Sequence, residues 1–197
     1  MQITQIVNSF YASNTYVLSE EHSAYCWLVD VGDIEPVLDI LGNRKVNGLL
    51  LTHSHFDHIY GVNKLVDLFP ECIIYTSVHG KEGLGSEKLN LSLYHDNSLV
   101  LHKGNVCILE DGEEVQLFPT SSFKAIYTPG HDWSCVSYYN NDVIFTGDSY
   151  IPNNKLVTVF PKSDKTEALL SLNKIINLLE TRDAYPGHGQ VVKCNNK

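Results

Sequence analysis

The stretch "THSHFDH", Thr52 to His58, puts three imidazoles and a carboxylate directly behind the aliphatic run "VNGLLL". Such groups are costly to bury unless something binds them. Three more strand-like runs end in the same way. "YTPGHDW" delivers His131, "VIFTGDS" delivers Asp148 and "YPGHG" delivers His188. With His53, His55, Asp57 and His58 the set comprises five imidazoles and two carboxylates. Gly130, Gly147 and Gly187 each stand immediately before one of these groups. Glycine there lets the backbone turn sharply and approach a site closely.

A catalytic zinc takes three protein ligands and a water. Seven groups therefore suffice for two ions if one carboxylate is shared. Two ions about 3.5–4 Å apart share a hydroxide that is nucleophilic at neutral pH, and they clamp the oxyanion formed by its attack. Each piece alone has a plainer use. His131 or His188 after a Pro-Gly turn would serve as a surface or capping histidine, and Asp148 as a turn aspartate. Their arrival in order, each at a strand end, points to metal chemistry. Imidazole and carboxylate suit zinc first, with iron and manganese as alternatives.

Elements must hold these groups in place. Short β-rich runs at Ile3–Val7, Thr15–Leu18 and Ala24–Val29 predict strands, with a short helix near Pro36–Leu41. "VNGLLLT" (Val46–Thr52) predicts a strand covered on both faces. A helix over about Ile59–Leu68 and a strand at Cys72–Ser77 follow. Residues 79–104 are polar and read as loop and short helix, walling a site. Further strands are predicted at Glu114–Phe118, Phe123–Thr128, Val136–Tyr139 and Val143–Thr146, with a hairpin turn at Asn140–Asp142. Ser163–Glu180 has helical spacing, with Ser163 or Asp164 as its cap. A last strand near Ala184–Tyr185 leads into the final histidine. The pattern predicts an α/β fold, an αββα four-layer sandwich of two mixed β-sheets with outer helices.

The 197 residues, 1–197, fit one domain. A net charge of -9 argues against a nucleic-acid partner. A small anionic substrate stays compatible, because bound metal reverses the local field. No basic and apolar leader opens the sequence, and no apolar run has membrane-spanning length. The five cysteines are scattered without a C-x-x-C pair. Together these predict a reduced, cytoplasmic protein with free thiols and a small-molecule substrate. The sequence sets no oligomeric state.

His53-Ser-His55-Phe-Asp57-His58, then His131, Asp148 and His188, resembles the H-x-H-x-D-H signature of the metallo-β-lactamase fold superfamily. The resemblance runs from about Tyr16 to Gly189. "TPGH", "FTGDS", "YPGHG" and "LNLS" are most similar to the glyoxalase II branch of hydroxyacyl-thioester hydrolases. The resemblance implies that His53, His55 and His131 hold one metal and that Asp57, His58 and His188 hold the other. Asp148 would bridge, and the hydroxide would sit between Asp57 and Asp148. Asp30, in "VDVG", matches the aspartate that steadies a cluster histidine in the family.

The sequence departs from that branch at Asp132-Trp133-Ser134-Cys135 and at Tyr60, where a small residue is common. It also ends shortly after Gly189, without the helical domain with which full-length glyoxalase II grips glutathione. The expected substrate is therefore a small thioester or ester held by loops, with little discrimination among leaving groups. Tyr60, Trp133 and Tyr150 would supply apolar surface and Lys155 a positive charge. An iron-dependent persulfide dioxygenase, a lactonase and a non-catalytic metal or metabolite sensor are the alternatives. The complete ligand set favours hydrolysis over the dioxygenase, which needs only three of the groups. β-Lactamase activity is disfavoured because those enzymes commonly carry cysteine or serine at the position of Asp148.

Overall fold

Leu49, Leu50 and Leu51 alternate between two apolar layers, which is why the run before the first histidines has no polar face. The computed structural model describes residues 1–194, so the last three residues of the expected domain lie outside the described residues. Strands β1 (Gln2–Val7), β2 (Asn14–Ser19), β3 (Tyr25–Val29), β4 (Lys45–Leu50), β5 (Ile73–Thr76) and β6 (Asn105–Ile108) form one sheet in that order. It is antiparallel from β1 to β3 and parallel from β3 to β6. Strands β7 (Glu114–Phe118), β8 (Ser121–Tyr127), β9 (Val136–Tyr139), β10 (Val143–Gly147) and β11 (Asp183–Pro186) form the second, ordered β11-β10-β9-β8-β7. There only β10 and β11 run parallel.

Strand periodicity assigns the layers. Tyr16, Leu18, Trp27, Val29 and Leu50 face Phe123, Tyr138, Phe145 and Tyr185 between the sheets. Val17, Leu28, Leu49 and Leu51 point the other way, onto helices α1 (Ile34–Leu41), α2 (Phe56–Ile59), α3 (Val62–Leu68) and α4 (Val78–Leu84). Burying each such side chain contributes about 1.5–3 kcal/mol. On the far side α5 (Lys165–Leu179) turns Ala168, Ser171 and Ile175 inward. The result is the expected four-layer αββα sandwich of two mixed sheets. No helix among the described residues is long and apolar enough to cross a membrane. All five cysteines are unpaired.

Two local expectations differ from the structure, and the choice between the two expected caps of the last helix is decided. The helix expected over Ile59–Leu68 is two short helices, broken at Tyr60–Gly61. There the chain pairs with Val31: Val31 N–H donates to the His58 carbonyl at 2.9 Å, and Gly61 N–H to the Val31 carbonyl at 3.2 Å. A Cβ on Gly61 would lie 2.1 Å from the Gly32 carbonyl oxygen, so this crossing needs glycine. Strand β6 is an addition to the expected set: the short apolar run "NVCI", behind a polar segment, forms an edge strand with no fully buried residue. Asp164 rather than Ser163 caps α5, accepting from Thr166 and Glu167 N–H at 2.8 and 2.9 Å. The Ser163 hydroxyl instead donates to the His131 carbonyl at 2.5 Å.

Candidate metal centre

Strands β4, β8, β10 and β11 all end at one rim of the sandwich, and the seven groups from the four motifs meet there. His53, His55 and His131 form one group whose ligand atoms lie within 4.8 Å of one another, and Asp57, His58 and His188 form another. Asp148 stands between them. Its Oδ2 is 3.5 Å from His131 Nε2 and 3.4 Å from His188 Nε2, and its Oδ1 is 3.5 Å from His58 Nε2.

Each imidazole is held by the nitrogen that faces away from the cluster. His131 Nδ1–H donates to the Val157 carbonyl at 3.0 Å, and His188 Nδ1–H to the Tyr11 carbonyl at 3.2 Å. His58 Nδ1–H donates to Asp30 Oδ2 at 2.9 Å. Thr52 links the other side: its hydroxyl donates to Asp30 Oδ2 at 2.7 Å and accepts from His53 Nδ1–H at 3.1 Å. One carboxylate thus orients a histidine of each group. His55 is turned the opposite way. Its Nδ1 faces His131 Nε2 at 3.0 Å, while its Nε2 lies 3.5 Å from Asp132 Oδ2. Asp132 is itself fixed by the N–H and hydroxyl of Ser134.

The donor geometry fits metal ions. Atoms at 2.0–2.1 Å from a tetrahedral ion stand about 3.3 Å apart. His58 and His188 Nε2 are 3.3 Å apart, and Asp57 Oδ2 lies 3.4 and 3.2 Å from them. His53 Nε2 and Asp148 Oδ1 are buried without any hydrogen-bond partner, a costly state that an ion in the cluster relieves. Asp30, His53 and His58 also approach one another closely. The Asp30 oxygens, however, are already committed to His58, to the Thr52 hydroxyl and, at 2.7 Å, to the Thr52 N–H. That carboxylate supports the cluster from behind.

Burial lowers the pKa of His53, which carries no direct carboxylate partner, and that of His131, so both rings are neutral with a lone pair available. Burial acts in the same direction on His58 and His188. There the facing carboxylates win: Asp57, Asp148 and Asp30 bring His58 up to about 9, and Asp148 and Asp57 bring His188 up to about 10. Burial alone would raise Asp57 and Asp148, but the histidines, His58 foremost, hold both below the usual carboxylate range. Asp57 and Asp148 are thus ionised and paired with protonated His58 and His188, whose protons a bound cation would replace.

Two backbone positions make this approach possible. A Cβ on Gly187 would sit 2.1 Å from Asp148 Oδ1 and 2.9 Å from His58 Cε1. Gly147 has φ +49°, and a Cβ there would strike Thr52 Oγ1 at 2.6 Å. The final turn is tied down by β2: Asn14 N–H donates to the Gly187 carbonyl at 2.7 Å, and the Tyr16 hydroxyl to the Pro186 carbonyl at 2.7 Å.

The cluster opens into a cavity of about 630 Å³ walled by Tyr11, Phe56, Leu91, Tyr94, His95 and Phe160. None of the four residues expected to line a substrate pocket is on that wall. The Tyr60 hydroxyl donates to Asp33 at 2.7 Å, and its ring packs on Phe10 and Phe56. Trp133 stacks on His79 at 4.0 Å with an interplanar angle of 8°. Tyr150 and Lys155 line a neighbouring cavity of about 520 Å³ that shares Asp148, Ile151 and Val157 with the first. Leu91, Tyr94 and His95 fall within residues 79–104, the segment expected to wall the site. Tyr11 carried no such signal; its φ of 51° places its carbonyl under His188.

Fold and site together define a protein of the αββα class with a cluster of histidines and aspartates spaced to hold metal ions. The chain belongs to the metallo-beta-lactamase superfamily, whose family model matches residues 9–188. It is 32% identical over 145 residues to a hydroxyacylglutathione hydrolase of Pseudoalteromonas translucida (strain TAC 125), an alignment covering 73% of this chain. The chain spans about half of that relative's length, 48%. Among solved structures, BLEG-1 B3 metallo-beta-lactamase superposes with a TM-score of 0.86 at 29% identity, covering 96% of this chain and 93% of that one. TTHA1623 in a di-iron-bound form superposes with a TM-score of 0.81, covering 97% and 94%; at 23% identity this likeness shows the fold alone.

Proposed function

We propose that the chain is a dinuclear-metal hydrolase of a small acyl thioester or ester. The observation that carries this reading is Asp148, whose carboxylate faces His131 of one donor group and His58 and His188 of the other. His53, His55 and His131 would hold one ion, and Asp57, His58 and His188 the second, with Asp148 shared. Zinc suits these donors, as do iron and manganese. A metal pair bound there supplies a water that ionises near neutral pH and an electrophile for the acyl oxygen.

The chain's own residues do the rest. Asp30, through His58 and through Thr52 to His53, keeps both donor groups in register. Asp57 and Asp148 accept hydrogen bonds from the attacking water and orient it. Phe56, Leu91, Tyr94 and Phe160 line the cavity, seat an acyl chain and thin out bulk water. Cys135 is 3% exposed, and burial pushes its thiol well above the ordinary range, so it is not a thiolate. The likeness to a hydroxyacylglutathione hydrolase supports a thioester as the bond cleaved. The second donor group, with Asp148, supports hydrolysis over a single-iron dioxygenase.

The test is a panel on the metal-replete protein: acyl thioesters, lactones, a chromogenic β-lactam, and a persulfide with an oxygen electrode. Thioester cleavage exceeding the other activities is the expected result. Oxygen uptake with the persulfide and no thioester cleavage would replace this reading with the dioxygenase, and lactam turnover would replace it with a lactamase.

A further inference from the structure

Beside the metal centre, across the Phe160 ring, lies a small pocket of about 70 Å³ that holds Lys88 and Lys162. Phe160 is the partition: its ring meets His55 at 4.8 Å and His131 at 5.4 Å, and it lines both this pocket and the larger cavity. Leu91 and Tyr94 are likewise common to both, so the two spaces adjoin along an apolar wall.

Neither lysine has an ion-pair or hydrogen-bond partner among the described residues, in a chain whose net charge is -9. Lys162 is held instead by an aromatic face, its Nζ 4.0 Å from the Trp133 ring centroid. Trp133 in turn stacks on His79. A cation–π contact fixes an ammonium without neutralising it. The pocket's one carboxylate, Asp132, is 1% exposed and committed to Ser134 and His55. Two uncompensated cations on the wall of an apolar recess favour an anion. The volume admits a carboxylate head group and little more.

We propose that Lys88 and Lys162 bind a carboxylate carried on an arm of the substrate, a few atoms from the scissile carbonyl. This rests on the hydrolase reading above. It assigns the substrate class as an anionic acyl thioester or ester whose apolar spacer runs past Phe160. It also gives Trp133 a role, as the platform that holds Lys162 in place.

The experiment compares S-acetyl-3-mercaptopropionate with its methyl ester on the metal-loaded full chain, which cancels effects on the common acyl group. The expected preference for the carboxylate is about tenfold in kcat/KM, about 1.4 kcal/mol, expressed in KM. It should shrink as salt is added. In the double variant Lys88→Ala, Lys162→Ala the ratio should fall towards one, and Lys162→Glu should invert it. Trp133→Leu should lower the ratio through KM. A wild-type ratio of one, or a ratio unchanged in the double variant, overturns the proposal while leaving the hydrolase reading intact. Cleavage of neither thioester counts against the hydrolase reading instead. Calorimetric titration with 3-(methylthio)propionate then decides: binding lost in the double variant supports the site, and no binding to the wild type overturns it.

Discussion

Asp30 Oδ2 lies 2.9 Å from His58 Nδ1, joining the end of β3 to the histidine motif that follows β4. Asp30 holds a left-handed backbone, φ 54°, which aspartate tolerates better than most side chains. The conformation aims both carboxylate oxygens at Thr52 and His58 rather than into the cluster.

Asp30→Asn should keep the fold, because asparagine also accepts that backbone, and should weaken metal binding. Loss of such an outer carboxylate typically costs 10–100-fold in metal affinity or activity, and a loss of about that size is expected. Competition against a chromophoric chelator measures it. Unchanged affinity would show that Asp30 does not orient His58.

Gly187→Ala tests the close approach of the last turn. The added Cβ meets Asp148 Oδ1 at 2.1 Å, so the carboxylate or the turn must move. Activity should be lost to a greater extent than thermal stability, since the displaced atoms are those of the centre. Activity within a factor of about two of wild type would mean that the turn relaxes freely; overpacking elsewhere typically costs about 1–3 kcal/mol.

The seven clustered groups were legible in the sequence because each stands at the end of an apolar run, and strand ends are where backbone stiffness delivers side chains. Asp30 was legible by resemblance. Tyr11 was not: it acts through a carbonyl, and a carbonyl has no residue type. The four expected pocket residues were chosen for chemistry near the motifs. Tyr60 is claimed by Asp33, Trp133 by His79 and Lys162, and Tyr150 and Lys155 by the next cavity. The side chains that wall the cavity come mostly from segments whose course depends on long-range contacts, as with His95, which stacks on Phe56 of α2 at 4.6 Å. Strand β6 was hidden because its apolar run, "NVCI", is only four residues long and follows a long polar segment.

Metal binding should release protons. In the metal-free protein His58 titrates at about 9 and His188 at about 10, both above the ~6.5 of an unfolded chain. Their protonation therefore stabilises the metal-free fold. That contribution is complete below about pH 6.5 and is lost as pH rises through about 9 to 10. The melting temperature of metal-free protein should fall across that upper range, while that of loaded protein changes less. Loading near neutral pH should release about two protons per chain, read with an indicator dye in weak buffer. Loading without release would show that both histidines are already neutral.

The most direct measurement is metal stoichiometry of the reconstituted, desalted protein by elemental analysis, set beside His188→Ala and Asp148→Ala. The shared-carboxylate centre predicts close to two ions per wild-type chain, close to one after His188→Ala, and the weakest retention, with hydrolysis abolished, after Asp148→Ala. A stable value of one in the wild type that His188→Ala leaves unchanged would contradict it.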